Sequence, residues 1–197
     1  MNPKTMRTLR LLLICGMTSL AIVLAGIYLQ NWLHKKQIEA YQIPDVVLYN
    51  QDNQPVPLVD YLASDKPIVL QFIYTGCTTV CPIMIVKFAN LQRRLEPDTT
   101  QAKLVSISID PENDTPAVLG SYKKNFDGKP GWDFLTGTHA DISAVMAAFR
   151  TQPTDMSTMD SPVLLKAPGA HQWIRLTGQI DSNRLWKTYQ QIKTRHE

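Results

Sequence analysis

Hydrophobic positions divide the chain into one long apolar stretch near the N-terminus and a longer part in which short apolar runs alternate with polar segments. Residues 11–29 carry no charged side chain and are mostly apolar. At a rise of about 1.5 Å per residue, a helix of this length just spans a hydrocarbon core of about 30 Å. We therefore expect one transmembrane anchor over residues 11–33, preceded by a cytoplasmic N-terminus (1–10) and followed by a polar linker (34–43).

Basic residues before the apolar stretch indicate its orientation. Lys4, Arg7 and Arg10 precede it and no acidic residue does, so the positive-inside rule predicts a single-pass protein of the inner (cytoplasmic) membrane with its soluble domain on the periplasmic side. A cleaved secretory signal and a lipoprotein modified at Cys15 remain alternatives. The stretch is long for a signal, and no convincing small-x-small cleavage site precedes the polar segment, which favours the anchor.

The remaining chain, residues 44–197, begins with strand-like patterns. Two short strands are predicted around a turn at Asp52 and Asn53. Residues 67–74 form a continuous apolar run, which is typical of a central strand buried on both faces. After Pro82, apolar residues recur at helical spacing.

Strands and helices then alternate to the end of the chain, apart from residues 151–170, which show no periodicity and are predicted to be irregular. Such alternation indicates an α/β fold with helices flanking a mixed sheet. An apolar strand that leads through a cysteine pair into a helix is the thioredoxin-like arrangement. The further predicted elements are a strand at 104–110, a helix capped by Thr115, a strand at 132–135, a helix capped by Thr138, a strand at 171–177 and a terminal helix opened by Asp181 or Ser182.

The charge of the chain argues against one class of partner. The net charge of +3 equals the contribution of the three basic residues that precede the anchor, so the rest of the chain is neutral. No cluster of lysine and arginine with interleaved aromatic residues occurs in it. We therefore expect no nucleic-acid partner.

Two cysteines four positions apart are the main chemical feature of the predicted soluble domain. With Cys15 in the anchor, Cys77 and Cys81 are too few for a disulfide scaffold. Cys81 is predicted near a helix N-terminus, where unpaired N–H groups favour the thiolate, so we expect it to ionise more readily than an ordinary cysteine. A thiolate pair suits both disulfide exchange and Cu(I) binding. A local structural disulfide is the alternative, although a loop this short would gain little stability from it.

A histidine near the pair would favour metal binding over redox chemistry. His171 begins a predicted strand after an irregular segment, where it could meet the cysteine loop at the end of the sheet. The alternative is a histidine on the surface of that strand. His139 is expected to face solvent in the first turn of a helix, and His196 lies next to the chain end.

Three segments, FIYTGCTTVCPIM, SISIDPENDTPAVLGSYKKNF and WDFLTG, resemble successive signatures of the Sco/SenC family over about residues 43–150. Members of this family are membrane-anchored thioredoxin-fold proteins associated with copper delivery to the binuclear copper site of cytochrome oxidase. The resemblance implies copper as the cofactor, held by Cys77, Cys81 and His171. It also implies a copper-site subunit of a respiratory oxidase, or another copper enzyme, as the partner. Beyond His171 the chain departs from the family pattern, because Arg175 interrupts the apolar strand.

Four further residues have two interpretations each. Asp110 and Asp114 are expected to form the turn before Thr115, and a position behind the copper ligands is the alternative. Met156 and Met159 are expected to provide hydrophobic cover, although their soft sulfur atoms could receive Cu(I) transiently.

A second function is compatible with the same cysteines. A thiol–disulfide reductase that acts on the cysteines of a copper-site protein would need the cysteine pair but no histidine. The family resemblance favours a metallochaperone, and the sequence leaves open whether the protein is also an enzyme.

Overall fold

A computed structural model describes residues 16–26, 38–78, 80–151 and 161–194. The chain separates into two compact units, Met1–Ile38 and Glu39–Glu197. In the first unit, residues 16–26 are helical with exposed side chains and form helix α1. Among the residues that the structure describes, no helix combines the length and apolar character that crossing a membrane requires. The rest of the predicted anchor lies outside the described residues.

Within the described residues, the second unit has eight strands, β1 (Ile38–Ala40), β2 (Val47–Asn50), β3 (Pro55–Pro57), β4 (Ile68–Ile73), β5 (Lys103–Ser108), β6 (Trp132–Thr136), β7 (Val163–Lys166) and β8 (Gln172–Leu176). They form one mixed sheet in the order β1-β8-β7-β4-β5-β6-β2-β3. β4, β5 and β6 are parallel, whereas β7 runs antiparallel to β4 and β8 antiparallel to β7. The helices of this unit are α2 (Leu58–Leu62), α3 (Val80–Arg94), α4 (Pro116–Asn125), α5 (His139–Ala148) and α6 (Ser182–Lys193), with a 3₁₀ turn at Thr99–Gln101.

The predicted fold class is confirmed by the elements around the centre of the sheet. All six residues of β4 are buried, as the continuous apolar run indicated. Three predicted helix starts are capped by the expected side chains. Thr115 accepts a hydrogen bond from the backbone of Val118, Thr138 accepts one from Asp141, and Asp181 accepts two from the first turn of α6.

Two predicted boundaries need correction. β1 lies inside the predicted linker, so the sheet begins before residue 44. β7 lies inside the segment predicted to be irregular, and all four of its residues are buried. It is too short for a visible period, prolines stand on both sides of it, and its last residue is Lys166. The ammonium of Lys166 is accommodated because Nζ donates to the carbonyl oxygen of Ala170 at 3.0 Å.

Candidate metal and thiol site

The two cysteines lie where β4 passes into α3. The chain turns after β4, and the backbone N–H of Cys77 donates to the carbonyl oxygen of Tyr74 at 3.2 Å. Helix α3 begins at Val80, which places Cys81 in its first turn. The position predicted for the pair, between a buried strand and a helix start, is confirmed. We call this edge of the sheet, formed by the carboxyl ends of β4, β5 and β6, the cysteine edge.

Both cysteines are thiols and both are buried, with exposed fractions of 6% for Cys77 and 2% for Cys81. Their sulfur atoms interact directly. The Cys81 thiol donates a hydrogen bond to Cys77 Sγ, and the Cys81 backbone N–H donates to the same sulfur at 3.3 Å. The hydroxyl of Tyr74 is a third donor to Cys77 Sγ. Because hydrogen bonds stabilise an anionic sulfur, Cys77 is the better placed of the two to act as the attacking thiolate.

Cys81 does not ionise readily, which corrects the expectation drawn from its helix-start position. Burial raises the pKa of the Cys81 thiol to about 12. The backbone N–H of Tyr74 lowers this pKa in part, but the hydrogen bond to Cys77 and the charges of Cys77 and Asp114 raise it again. The helix start is therefore outweighed by desolvation and by neighbouring negative charge.

We expect alkylation of Cys81 in the reduced, metal-free protein to be slow at neutral pH. With its pKa raised to about 12, only roughly one molecule in 10⁴ carries the Cys81 thiolate at pH 8. The rate should rise about tenfold for each pH unit up to at least pH 10. Peptide mass spectrometry after timed iodoacetamide pulses measures it, with urea-unfolded protein as the control. Labelling of folded Cys81 as fast as in urea at pH 7 would contradict the raised pKa.

Asp114 connects the cysteine loop to the sheet. Its carboxylate is fully buried and accepts hydrogen bonds from the backbone N–H of Thr75 at 3.1 Å, from the Thr75 hydroxyl and from the hydroxyl of Ser108 at the end of β5. Thr75 lies two residues before Cys77, so the contact fixes the loop that carries the cysteine. Asp114 is thus more than the turn former that the sequence led us to expect.

Asp110 has the role that was predicted for it. Its carboxylate oxygens accept hydrogen bonds from the side-chain amide of Asn113 at 2.9 and 3.0 Å, which closes the turn before α4. Among the described residues, the recorded hydrogen bonds of the Asp110 carboxylate go to Asn113 and not to the cysteine loop. The two aspartates of one motif therefore do different work, and their spacing alone could not distinguish them.

His171 is not near the cysteines. Because β8 runs antiparallel to β7 and β7 antiparallel to β4, β8 has the same direction as β4. The residue before β8 therefore lies at the edge where β4 begins, and Cys77 lies beyond the edge where β4 ends. The register agrees, since Trp173 pairs with Lys166 and Lys166 pairs with Ile68, the first residue of β4.

The length of β4 gives the scale of this separation. Its six residues place the two edges of the sheet roughly 17 Å apart. His171 is exposed at the far edge, so the structure does not bring together the three predicted ligands Cys77, Cys81 and His171. Within the part of the chain that the structure describes, no group of three or more His, Cys, Asp or Glu residues is placed to hold a metal ion.

The other candidate ligands add nothing to this set. His139 is the first residue of α5 and is exposed, as predicted. His196, Met156 and Met159 lie outside the described residues. The described site therefore consists of two adjacent sulfur atoms, the tyrosine that contacts them and the aspartate that holds their loop.

Comparison with known proteins places this site in a family. The family model described as SCO1/SenC matches residues 37–165. The SCO1 protein homolog of Bacillus subtilis (strain 168) is 34% identical over 98 residues, which make up 49% of this chain and 50% of that protein. The chain thus matches about half the length of this relative.

Solved structures extend the likeness to the whole fold. BsSco, a member of the Sco family of cytochrome c oxidase assembly proteins with a disulfide switch, superposes with a TM-score of 0.64 at 26% identity, covering 79% of this chain and 95% of BsSco. Arabidopsis thaliana ScoI with copper bound superposes with a TM-score of 0.63 at 24% identity, covering 78% of this chain and 100% of ScoI. At that identity, the second likeness concerns the fold.

Proposed function

This chain belongs to the SCO1/SenC family, and from that premise we propose that it binds Cu(I) between Cys77 and Cys81 and delivers it to a respiratory copper enzyme. The predicted recipient is the binuclear copper site of a cytochrome oxidase. The observation that carries the proposal is the direct contact of two buried sulfur atoms at the cysteine edge. The relatives support it, since ScoI is known with copper bound and BsSco belongs to a family of cytochrome c oxidase assembly proteins.

The chemistry of the two sulfurs suits a transferable copper ion. Soft thiolates select Cu(I), and copper here is cargo rather than a resident cofactor. A cation between the sulfurs would replace the proton that Cys81 donates to Cys77 and would neutralise the charge that burial disfavours. A site with two protein ligands leaves the metal open to ligands of the recipient, so copper can pass by ligand exchange.

A thiol–disulfide reductase is the second candidate, and the sulfur–sulfur contact also favours it. Two sulfurs that already share a hydrogen bond need little movement to form a disulfide. In this reaction the Cys77–Cys81 pair gives two electrons and two protons to a disulfide of the recipient and becomes a disulfide itself. The disulfide switch of BsSco is consistent with such a cycle.

Copper titration separates the two candidates. The reduced protein is expected to bind one Cu(I) in competition with a chromophoric chelator, and the protein oxidised to the Cys77–Cys81 disulfide is expected to bind none. His171→Ala should bind Cu(I) as tightly as the wild type, because this histidine lies at the far edge of the sheet. If the wild-type protein exchanges disulfides but binds no copper, the thiol–disulfide reductase is the candidate function that remains. If His171→Ala binds Cu(I) more weakly than the wild type, the ligand set implied by the family resemblance, with His171 as the third ligand, would be supported after all.

We further propose that residues 11–33 anchor the domain to the outer side of the cytoplasmic membrane. The uncharged run over residues 11–29 and the three basic residues before it support this. Residues 16–26, the described part of the segment, are helical with exposed side chains, as expected of a helix whose solvent is lipid. An anchored domain stays at the membrane surface, which raises its effective concentration near membrane-bound recipients.

Membrane fractionation tests the anchor. The full chain is expected to remain in membranes after a high-salt wash, and alkaline phosphatase fused after residue 45 should be active. A chain that starts at residue 38, where β1 begins, is the control and should be soluble. A soluble mature form that starts near residues 26–30 would show that the segment is a cleaved signal.

A further inference from the structure

Arg175 interrupts the apolar pattern of β8, and neither of the proposed functions uses it. Its side chain is partly buried, and the guanidinium donates hydrogen bonds to the carbonyl oxygens of Phe149 at 2.7 Å and Arg150 at 3.2 Å. Both carbonyl groups lie at the C-terminal end of α5, where backbone carbonyls lack partners within the helix. Arg175 therefore caps this end of α5 from a strand of the sheet.

The same guanidinium also contacts the segment that begins the domain. Arg175 donates a hydrogen bond to the hydroxyl oxygen of Tyr41 at 3.4 Å, and this hydroxyl donates to the carboxylate of Glu39 at 2.6 Å. The Glu39 carboxylate forms an ion pair with the guanidinium of Arg150 at 3.8 Å. Because Arg175 also binds the carbonyl oxygen of Arg150, the four residues form a closed ring of polar contacts. We call the ring of Glu39, Tyr41, Arg150 and Arg175 the β1 latch.

Aromatic packing and the backbone of Arg150 support the latch. The ring of Tyr41 is buried and packs against Phe149 and Trp173 at centroid distances of 5.0 and 6.5 Å. Arg150 has a φ of 50°, in the left-handed region that favours glycine. Such a conformation persists where the surroundings hold it, and here Arg175 binds the Arg150 carbonyl. Arg175 is thus the residue that joins residues 39–41 to the end of α5.

We propose that Arg175 is the positioning residue of the β1 latch and that the closed latch keeps the tether of the domain short. The inference rests on the proposed anchor at residues 11–33. With the latch closed, four residues (34–37) separate the anchor from β1, and they span at most about 14 Å. Release of residues 38–41 doubles this limit to about 28 Å. A shorter tether raises the effective concentration of the domain near recipients in the same membrane.

Hydrogen exchange of the full chain in phosphatidylcholine nanodiscs, reduced and metal-free, tests the latch. Arg175→Ala is compared with Arg184→Ala. Arg184 is a matched control because its guanidinium likewise donates to two backbone carbonyl oxygens, those of Thr177 and Gln179, both at 3.0 Å. Its recorded contacts within the described residues do not include residues 38–41.

In the wild type, the amide groups of residues 39–41 should exchange by local opening, at a rate that low urea concentrations do not change. Those of β4, at the centre of the sheet, should exchange by global unfolding, at a rate that rises with urea. Arg175→Ala should speed exchange at residues 39–41 at least roughly tenfold, because its hydrogen bonds to the segment and to the end of α5 are lost. Arg184→Ala should leave the rate at residues 39–41 unchanged, even where it speeds exchange in β4.

A glutamate-specific protease provides a second measurement, because cleavage after Glu39 requires β1 to leave the sheet. We expect Arg175→Ala to release the fragment that begins at Ala40 from the nanodiscs roughly tenfold faster than the wild type or Arg184→Ala. Tyr41→Phe keeps the ring packing and loses both hydroxyl contacts, so it should show a smaller increase in the same direction. This variant also tests the latch if Arg175→Ala does not fold.

Two results would overturn the inference. One is an equal exchange rate at residues 39–41 in the wild type, Arg175→Ala and Tyr41→Phe. The other is exchange at residues 39–41 with the same urea dependence as in β4, which would make this segment part of the core and not a latch. A full chain that does not associate with membranes before protease is added would sink the anchor, whereas the exchange rates would still decide whether Arg175 holds residues 39–41.

Discussion

Replacing Cys77 or Cys81 with serine is expected to remove Cu(I) binding, the largest effect that a single substitution should have in this protein. Each change exchanges one of two soft ligands for a hydroxyl group that is harder and does not ionise at neutral pH. The loss of affinity should therefore be well beyond the ~10–100-fold that follows removal of an outer-shell partner. Competition with a chromophoric Cu(I) chelator measures it, and Cys15→Ser is the control whose affinity should stay unchanged.

The same two variants should differ in redox chemistry. Cys77 receives three hydrogen bonds at its sulfur, whereas burial keeps the Cys81 thiol protonated. Cys77→Ser should therefore react poorly with oxidised glutathione, while Cys81→Ser should accumulate a stable mixed disulfide at Cys77. Wild-type copper affinity in either variant would show that the two sulfurs are not the ligands. The reverse order of glutathione reactivity would make Cys81 the attacking sulfur.

Local signals in the sequence were sufficient to predict the part of the fold that carries the cysteines. A continuous apolar run, a cysteine pair and the start of an amphipathic segment follow one another within about 20 residues, and each depends on neighbours in the chain. The caps at Thr115, Thr138 and Asp181 are local in the same sense. Short-range patterns of this kind persist in the folded protein because the contacts they encode are made within one element.

The third ligand could not be predicted in this way, because the position of His171 depends on one short strand. Without β7, the strand after His171 would enter the sheet from the cysteine edge. Adding the four residues of β7 reverses the direction of the chain and moves His171 to the other edge. Direction in a sheet alternates with each antiparallel strand, so a single missed strand changes the end at which every later residue lies.

The pKa of Cys81 shows a second limit on prediction from sequence. The sizes of the two opposing effects on this pKa explain why. A charge at a helix N-terminus gains about 0.3–1 kcal/mol, which is less than one pKa unit. Full burial shifts a pKa by up to about 3–5 units in the opposite direction for a thiol. Burial depends on packing between distant segments. The smaller effect can therefore be predicted from the sequence, and the larger one cannot. The exposed fraction of only 2% at Cys81 means that burial outweighs the helix start, so the pKa of this thiol is raised.

Asp114 shows the same limit for hydrogen bonds, since it bonds to Thr75, which lies 39 positions earlier in the chain. Nothing in the DPENDTP motif indicates that one aspartate closes a turn and the other binds the cysteine loop. Burial distinguishes them, because Asp114 is fully buried and Asp110 is partly exposed. A carboxylate can be buried at this position because three donors surround it.

Asp114→Ala is accordingly expected to lower the free energy of unfolding by roughly 3 kcal/mol or more, since three hydrogen bonds to a charged group are lost and their donors remain buried. Urea unfolding of the reduced, metal-free protein measures it. Asp110→Ala is the matched control in the same loop and should cost less than about 1 kcal/mol, because it removes contacts of an exposed turn. Cu(I) affinity in Asp114→Ala should fall by roughly 10–100-fold, since the loop of Cys77 is no longer held against the sheet.

Asp114→Asn distinguishes a loss of loop position from a general loss of stability. Asparagine keeps the shape and one carbonyl acceptor, and the hydroxyl groups of Thr75 and Ser108 can rotate to accept from its amide. We expect this variant to recover part of the stability and most of the copper affinity, because the cysteine loop stays in place. If Asp114→Ala unfolds at the same urea concentration as Asp110→Ala, the buried carboxylate does not hold the loop. Copper affinity that stays low in Asp114→Asn despite recovered stability would instead show that the negative charge itself acts on the site.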